Sequence, residues 1–434
     1  VIPAANLAKR ETLMQQLQAN GVHVVGRKSE LVINYMNAFL AFDQARATQQ
    51  KARCRFGWHD NYSKFLMGRR EVDENGEMEI APVSGNVSEI HKYYGTQGTL
   101  ENWKSVINTY NNPGNEVRAF SLFLGFGSPL YVFLNVGSAI VHLSNALSGV
   151  GKSTIQMCIN SIYGHPLGGM LSLNDTILAI QNRMASLSHL PACLDEVTNI
   201  EAEKLSNFVF NFSQNRERNR MQAARNVERS NNATWATVCF TSGNSSLLDK
   251  LKVYKSVAQG ERARILELTV DRDTNLTTDE ATRLFHDVLP ENYGIAGEIY
   301  MKHVVQNRQH IEHLLKEKRA YIQKKAGLTN ENRFHYSMLT AAFMGAEIAK
   351  DLGLHDIDVQ RVEDTILRMV SNVRAETEES HKEEVATDSV MGSILGKLSG
   401  NLIIVDGDDN QQKGVFSKGY HRLPNGEVKG RYET

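Results

Sequence analysis

The sequence predicts an α/β fold: a P-loop NTPase core sheet with a small N-terminal α+β region and a C-terminal helical domain. Three observations carry this. Short apolar runs alternate with helical patterns over residues 138–270. The stretch "IVHLSNALSGVGKST" leads from a buried strand through a glycine loop into a helix. After residue 280 the apolar spacing becomes helical throughout.

The chain has 434 residues, too many for one compact core and suited to two or three domains. Hydrophobic residues make up 41% and charged residues 22%, as in an ordinary globular protein. A formal net charge of -1 gives no global basic field, so any nucleic-acid contact needs a local patch. Cys54, Cys158, Cys193 and Cys239 form no CxxC pair, which fits neither a zinc site nor a disulfide scaffold. They suit a reducing cytoplasm, and those in apolar runs read as small core thiols. The chain opens on Val1 with no signal-peptide pattern, which leaves room for a domain upstream.

Residues 1–48 read as a helical segment, with Leu13, Leu17, Leu31, Ile33, Met36 and Leu40 at roughly helical spacing. Residues 49–115 read as a small β-rich domain, with a hairpin signal at Glu74-Asn75-Gly76. A helix then starts after Thr99, a plausible N-cap. Residues 116–285 form the core. From Ala119 to Gly151 there is no charged residue, but Gly125, Gly127, Pro129, Asn135 and Gly137 break the run. A buried helix near 119–134 and a buried strand at 138–144 explain it better than a membrane span. Further strands are expected near 169–173, 189–195, 235–242 and 264–270. Residues 286–385 read as a helical domain, including 333–351 and 357–375, and residues 386–434 as a Gly-rich, β-like tail.

The chemistry centres on the loop of Ser148, Gly149, Val150, Gly151, Lys152, Ser153 and Thr154. Such a loop aims backbone N–H groups at phosphate oxygens, and the following helix start adds a favourable dipole. Lys152 would reach the phosphates of ATP, and Ser153 would offer its hydroxyl to Mg²⁺. Ala146 stands where a loop of this kind opens on glycine, which is tolerable at negative φ. "LPACLDEVTNI" supplies a strand ending in carboxylates, Asp195 for the Mg²⁺ shell and Glu196 to polarise water. "WATVCFTSGNSS" presents Asn244, either as a group that orients the water or as part of a plain strand-end turn. "QGERARILELTV" places Arg262 and Arg264 before the last strand, either as surface arginines or as a finger for a neighbouring chain's γ-phosphate.

Together, "GWHDNYSKFLMG", "GTLENWKSVINTYNNPGNEVRAFSLFLGFGSPL", the GKST loop, "CLDEV", "FTSGNSSL", "GERARILEL" and "YGIAGEIY" give the chain a family likeness. It resembles the helicase-like ATPase domain of phage and mobile-element primase-helicases, a family largely without assigned function, over roughly residues 50–300. The resemblance implies an AAA+-like core related to superfamily 3 helicases. It implies a homo-oligomeric ring, expected to be hexameric, often in a chain that also carries a primase or polymerase. It implies Gly151, Lys152 and Ser153 in the loop, Asp195 and Glu196 as the acidic pair, and Arg264 as the arginine before the last strand. Ala146 departs from the family's loop glycine. Asn244 departs from its frequent glutamate, although asparagine is the superfamily 3 sensor. A phage-encoded chain would work in the host cytoplasm.

Between the acidic pair and the Asn244 strand lies the densest basic stretch, with Arg216, Arg218, Arg220, Arg225 and Arg229. Arginines grip phosphates with forked hydrogen bonds and need no base sequence. The resemblance implies a DNA-gripping hairpin here. A solvated loop pairing with a neighbour's carboxylates, or arginines facing ATP across an interface, would give the same composition. The leading expectation is an ATP-driven ring helicase on single-stranded DNA. A protein-remodelling AAA+ ATPase and a P-loop kinase are the rivals; the arginines disfavour the first and Glu196 beside Asp195 the second.

Overall fold

The computed structural model describes residues 10–22, 28–46, 52–172, 175–216, 221–222, 227–228, 234–254, 259–372, 402–405, 420–422 and 430–433. Helices α1 (Arg10–Ala19) and α2 (Lys28–Arg46) lead the chain. Leu13 and Leu17 are buried among Met14, Val32, Ile33, Met36 and Leu40, as the helical spacing requires. Leu31, expected on the same face, is 69% exposed instead.

An antiparallel meander follows: β1 (Gly57–His59), β2 (Lys64–Met67), β3 (Arg70–Asp73) and β4 (Met78–Ile80). The β3–β4 turn falls on Glu74-Asn75-Gly76, with Gly76 at φ 77°. Phe56, Trp58 and Phe65 of this unit belong to the same contiguous core as the rest of the chain through Val370. Next come α3 (Val87–Ile90) and α4 (Leu100–Ile107), the latter capped by Thr99 Oγ1, which accepts from Asn102 N at 3.2 Å.

Helix α5 (Glu116–Gly127) is shorter than its apolar run suggests, because Ser128–Leu134 tightens into 3₁₀ turns. Pro129 lacks an N–H and cannot continue the α-helical ladder, which is why the helix expected over 119–134 breaks there. Residues 116–134 are long and apolar enough to cross a membrane, but 89% of the stretch is buried inside the protein. What covers it is α14 (Arg333–Asp351). A Cβ at Gly127 would lie 2.2 Å from Ala341 O, and one at Gly345 2.6 Å from Gly127 N. Only glycines let these two helices cross so closely.

The centre is a parallel five-stranded sheet of β5 (Ala139–Ser144), β6 (Met170–Ser172), β7 (Ala192–Asp195), β10 (Val238–Gly243) and β11 (Ile265–Thr269), in the order β11-β5-β10-β7-β6. The connecting helices are α6 (Lys152–Ser161), α7 (Ile177–Leu187), α8 (Ala202–Ser213), α9 (Leu247–Tyr254) and α10 (Gln259–Arg262). Two strands begin later than the apolar runs. Pro191 cannot donate to a ladder, so β7 starts at Ala192. The amides of Trp235, Ala236 and Thr237 bond Asn215 O, Ser188 O and Ser138 Oγ, so β10 starts at Val238. Cys158, Cys193 and Cys239 are buried thiols and Cys54 is exposed.

Between α8 and β10 the backbone forms a hairpin, β8 (Met221–Gln222) against β9 (Val227–Glu228), closed at its root by an Arg216–Thr234 bridge. Beyond β11 come α11 (Thr278–Thr282), α12 (Ile295–Gln306), α13 (Arg308–Lys325), α14 and a helix over 359–372. Asn307, at φ -108°, splits α12 from α13 within what reads as one helical run. The tail strands β12 (Leu402–Val405), β13 (Tyr420–Arg422) and β14 (Gly430–Glu433) form a three-stranded sheet.

Candidate nucleotide-binding site

Strand order builds the site. Because β10 sits between β5 and β7, the loop after β5, the carboxylates after β7 and the turn after β10 meet at one sheet end. Gly149 (φ 72°) and Gly151 (φ 92°) take left-handed conformations in the loop. Ala146 is not among the residues with positive φ, so alanine carries no backbone penalty there. Gly151 caps α6, which begins at Lys152 and runs through Ser153 and Thr154.

Lys152 Nζ donates to Asn145 O at 3.0 Å, Leu147 O at 3.0 Å and Asn244 Oδ1 at 2.7 Å. Burial lowers its pKa, against the opposing pull of Glu196 and Asp195. Ser153 Oγ donates to Asp195 Oδ1 at 2.9 Å, and Ser242 Oγ donates to the same oxygen. The Glu196 amide donates to Ser242 Oγ at 3.0 Å, so one serine sets both acids. Glu196 then turns through φ 53°, a left-handed conformation costly for a non-glycine residue, which leaves it exposed beyond the strand end. The Asn244 amide donates to Thr198 Oγ1 at 2.7 Å.

Sequence reasoning missed two buried supports. His142, in the middle of β5, bonds Thr241 Oγ1 through Nδ1 at 2.9 Å and Ser245 O through Nε2 at 3.0 Å. A carbonyl only accepts, so Nε2 carries the proton and Nδ1 accepts from Thr241. Burial pulls its pKa from 6.5 down to about 4, keeping it neutral. The folded pKa lies below the unfolded one, so this stability is full above pH about 6.5 and is lost as pH falls toward 4. Arg118 donates to Val150 O at 2.7 Å, Asp271 O at 2.6 Å and Asn115 Oδ1 at 3.1 Å. It ties the glycine loop to the chain beyond β11. Its one signal is a lone arginine opening a charge-free apolar run.

The structure keeps the arginines away from this cluster. Ile265 pairs with Ile140 and Thr269 with Ser144, so Arg262 and Arg264 lie at the far end of the sheet from the loop. Arg264 donates to Gly260 O and lies 5.8 Å from the Phe210 ring centroid and 5.1 Å from that of Phe334. Its buried Nε has no partner, and burial and Arg333 lower its pKa. Arg216 is exposed at the hairpin root; Arg218, Arg220, Arg225 and Arg229 lie outside the described residues.

The donor set suits a phosphate and its metal. Three oxygen acceptors around one ammonium offer Lys152 what phosphate oxygens would. Ser153 and Asp195 give hard oxygen ligands, and no group of three or more His, Cys, Asp or Glu able to hold a metal occurs among the described residues. Mg²⁺ matches such a sparse site, because it takes one or two protein ligands and completes its shell from phosphates and water.

The chain belongs to the family described as a domain of unknown function, DUF927, whose model matches residues 1–232. No curated protein matches it. Among solved structures it is similar to the active helicase Cch of SCCmec type IV, at 14% identity and TM-score 0.67, covering 95% of this chain and 75% of that one. The JCV helicase matches at 11% identity and TM-score 0.28 over 51% of this chain and 65% of that one. The apo NrS-1 C-terminal region matches at 12% and 0.30 over 68% and 76%. The Cch match shows a shared helicase-like fold; the other two scores are too low to carry weight.

Proposed function

We propose that the chain is an ATP-dependent motor that translocates on and unwinds DNA from single-stranded regions, working as a homo-oligomeric, hexameric ring in phage or mobile-element replication. In this reading it is the helicase part of a primase-helicase. The observation that carries it is the meeting of Lys152, Ser153, Asp195 and Asn244 within hydrogen-bond distance, with Glu196 beside them. Bound Mg²⁺ would neutralise phosphate charge. Lys152 exchanges its loop carbonyls for phosphate oxygens, Ser153 and Asp195 hold the metal shell, and Glu196 takes the proton of the attacking water. Asn244 orients that water. Arg264, too far to serve its own loop, suits the γ-phosphate of a neighbouring chain, with Arg262 the next candidate. A protein-remodelling ATPase remains the second reading only for the hairpin's role, since the same nucleotide site would drive it.

The hairpin test is the double variant Arg218→Ala, Arg220→Ala. Basal ATP hydrolysis should stay near normal, because the site is built from other strands. Affinity for single-stranded DNA should fall, and its dependence on salt should become shallower as fewer counterions are released. Equal slopes and equal affinities for variant and wild type would return the remodelling reading.

His142 acts through Asn244. By fixing Ser245 O and Thr241 it holds the turn that presents the asparagine. His142→Ala is expected to slow hydrolysis by up to about 10²-fold, the scale of a slightly misplaced group, with ATP affinity nearly unchanged. Its loss should be much smaller in an Asn244→Ala background. Fully additive losses would mean the two residues act separately.

A further inference from the structure

At the sheet end away from the glycine loop lies an open cleft of about 480 Å³. The β1–β2 turn contributes Tyr62, the segment before β5 contributes Asn135 and Gly137, and the hairpin root contributes Gln214, Asn215 and Ala236. Its size is that of a small-ligand site. Gly137 precedes β5 and Ala236 precedes β10, whereas Lys152 follows β5, so the cleft and the nucleotide site are separate.

Backbone strain points to both places. Among the described residues, the non-glycine positions with positive φ are Asp60, Asn61, Tyr62, Asn135, Ser188, Glu196 and Asn215. Glu196 is in the nucleotide site; Tyr62, Asn135 and Asn215 line the cleft. Asp60 and Asn61 precede Tyr62 in the same turn, and Ser188 O accepts from the Ala236 amide at 3.0 Å. A bulky tyrosine at φ 65° is an outlier kept only where surroundings impose it. Arg53 anchors the start of this turn, gripping Asp60 at 2.7 and 3.2 Å.

The turn carries an aromatic ring at the surface. Tyr62 is 40% exposed, though packed 5.3 Å from Phe133 and 6.2 Å from Trp58, ring centre to ring centre. Amides share the lining: Asn135 and Gln214 are exposed, while Asn215 Oδ1 accepts from Ser138 and its Nδ2 donates to Val136 O at 3.4 Å. Two arginines stand at the adjoining hairpin root. Arg216 is exposed next to Asn215, and Arg55 Nη1 donates to Thr234 Oγ1 at 2.8 Å across the hairpin root. An exposed ring, amide donors and acceptors, and nearby guanidinium groups match the three parts of a nucleotide unit in a single strand: base face, base edge and phosphate.

We infer that this cleft receives one base of a single-stranded DNA, with the base stacked on Tyr62. The inference rests on the DNA-motor reading and adds where the strand is gripped. A stacked base has no required identity, so the grip is indifferent to sequence.

The test uses the full chain and a labelled oligo-dT strand, with binding read by anisotropy. Tyr62→Ala should weaken binding about tenfold, the scale of losing one stacked base. Tyr62→Trp should keep the affinity, and neither change should alter basal ATP hydrolysis. The salt slope should match wild type, because no phosphate contact is lost. On a strand of abasic sites the wild type and Tyr62→Ala should bind alike. Asn135→Gly, which keeps the left-handed backbone and removes only the amide, should weaken binding several-fold and decides the matter if Tyr62→Ala fails to fold. A wild-type chain that binds no oligo-dT refutes the motor reading. Wild-type binding with unchanged affinity in the folded variants overturns this inference alone. Unchanged affinity with lost self-association would assign the cleft to a second copy of the chain.

Discussion

Lys152→Ala is expected to lower ATP hydrolysis by at least about 10²–10³-fold while the chain stays folded, as when one preorganised transition-state donor is removed. The ammonium bonds two loop carbonyls and Asn244 Oδ1, not the apolar core. Leu147 and Asn244 are exposed and Asn145 is half-buried, so water can reach the acceptors left behind, at a cost of about 1–3 kcal/mol. Phosphate release and thermal unfolding, measured on the same sample, check both halves. The variant also tests Arg264. Arg264→Ala should be inactive alone, yet mixed rings of the two variants should regain part of the activity, because some interfaces then pair an intact loop with an intact arginine. No rescue at any mixing ratio would count against action between chains.

Glu196→Gln is the second large effect. Hydrolysis should slow by about 10²–10⁴-fold, the usual contribution of a general base, while ATP still binds. The amide side chain can still accept from Thr198 N, which donates to Glu196 Oε1 at 3.3 Å. Asp195 keeps its bonds to Ser153 and Ser242. The product should be a long-lived ATP-bound ring. Single-turnover phosphate release at the wild-type rate would show that another group activates the water.

Asp195, Glu196 and Asn244 are legible because they stand at the ends of apolar runs, and Lys152 because it closes the glycine loop. Strand ends are visible in a sequence, and parallel strands put their ends on one side. The order of the strands was not visible, and it is the insertion of β10 that brings Asn244 to Lys152. His142 and Arg118 read as part of, or next to, buried runs, and no spacing says which carbonyl a buried polar group will meet. The break in α5 follows from Pro129, a local cause. The left-handed turn at Asp60 to Tyr62 has no such local signal, and a partner of Asp60, Arg53, comes from outside the turn. The boundaries drawn near residues 115 and 285 mark changes of local pattern, and the buried residues from Phe56 to Val370 form one cluster across them.

The most direct measurement is the rate of ATP hydrolysis with Mg²⁺, with and without single-stranded DNA, in wild type and Lys152→Ala. The account predicts hydrolysis that DNA stimulates severalfold or more in the wild type and that is absent from Lys152→Ala in both conditions. Wild-type hydrolysis that is indifferent to DNA, or hydrolysis that survives Lys152→Ala, would contradict a DNA-driven motor built on this site.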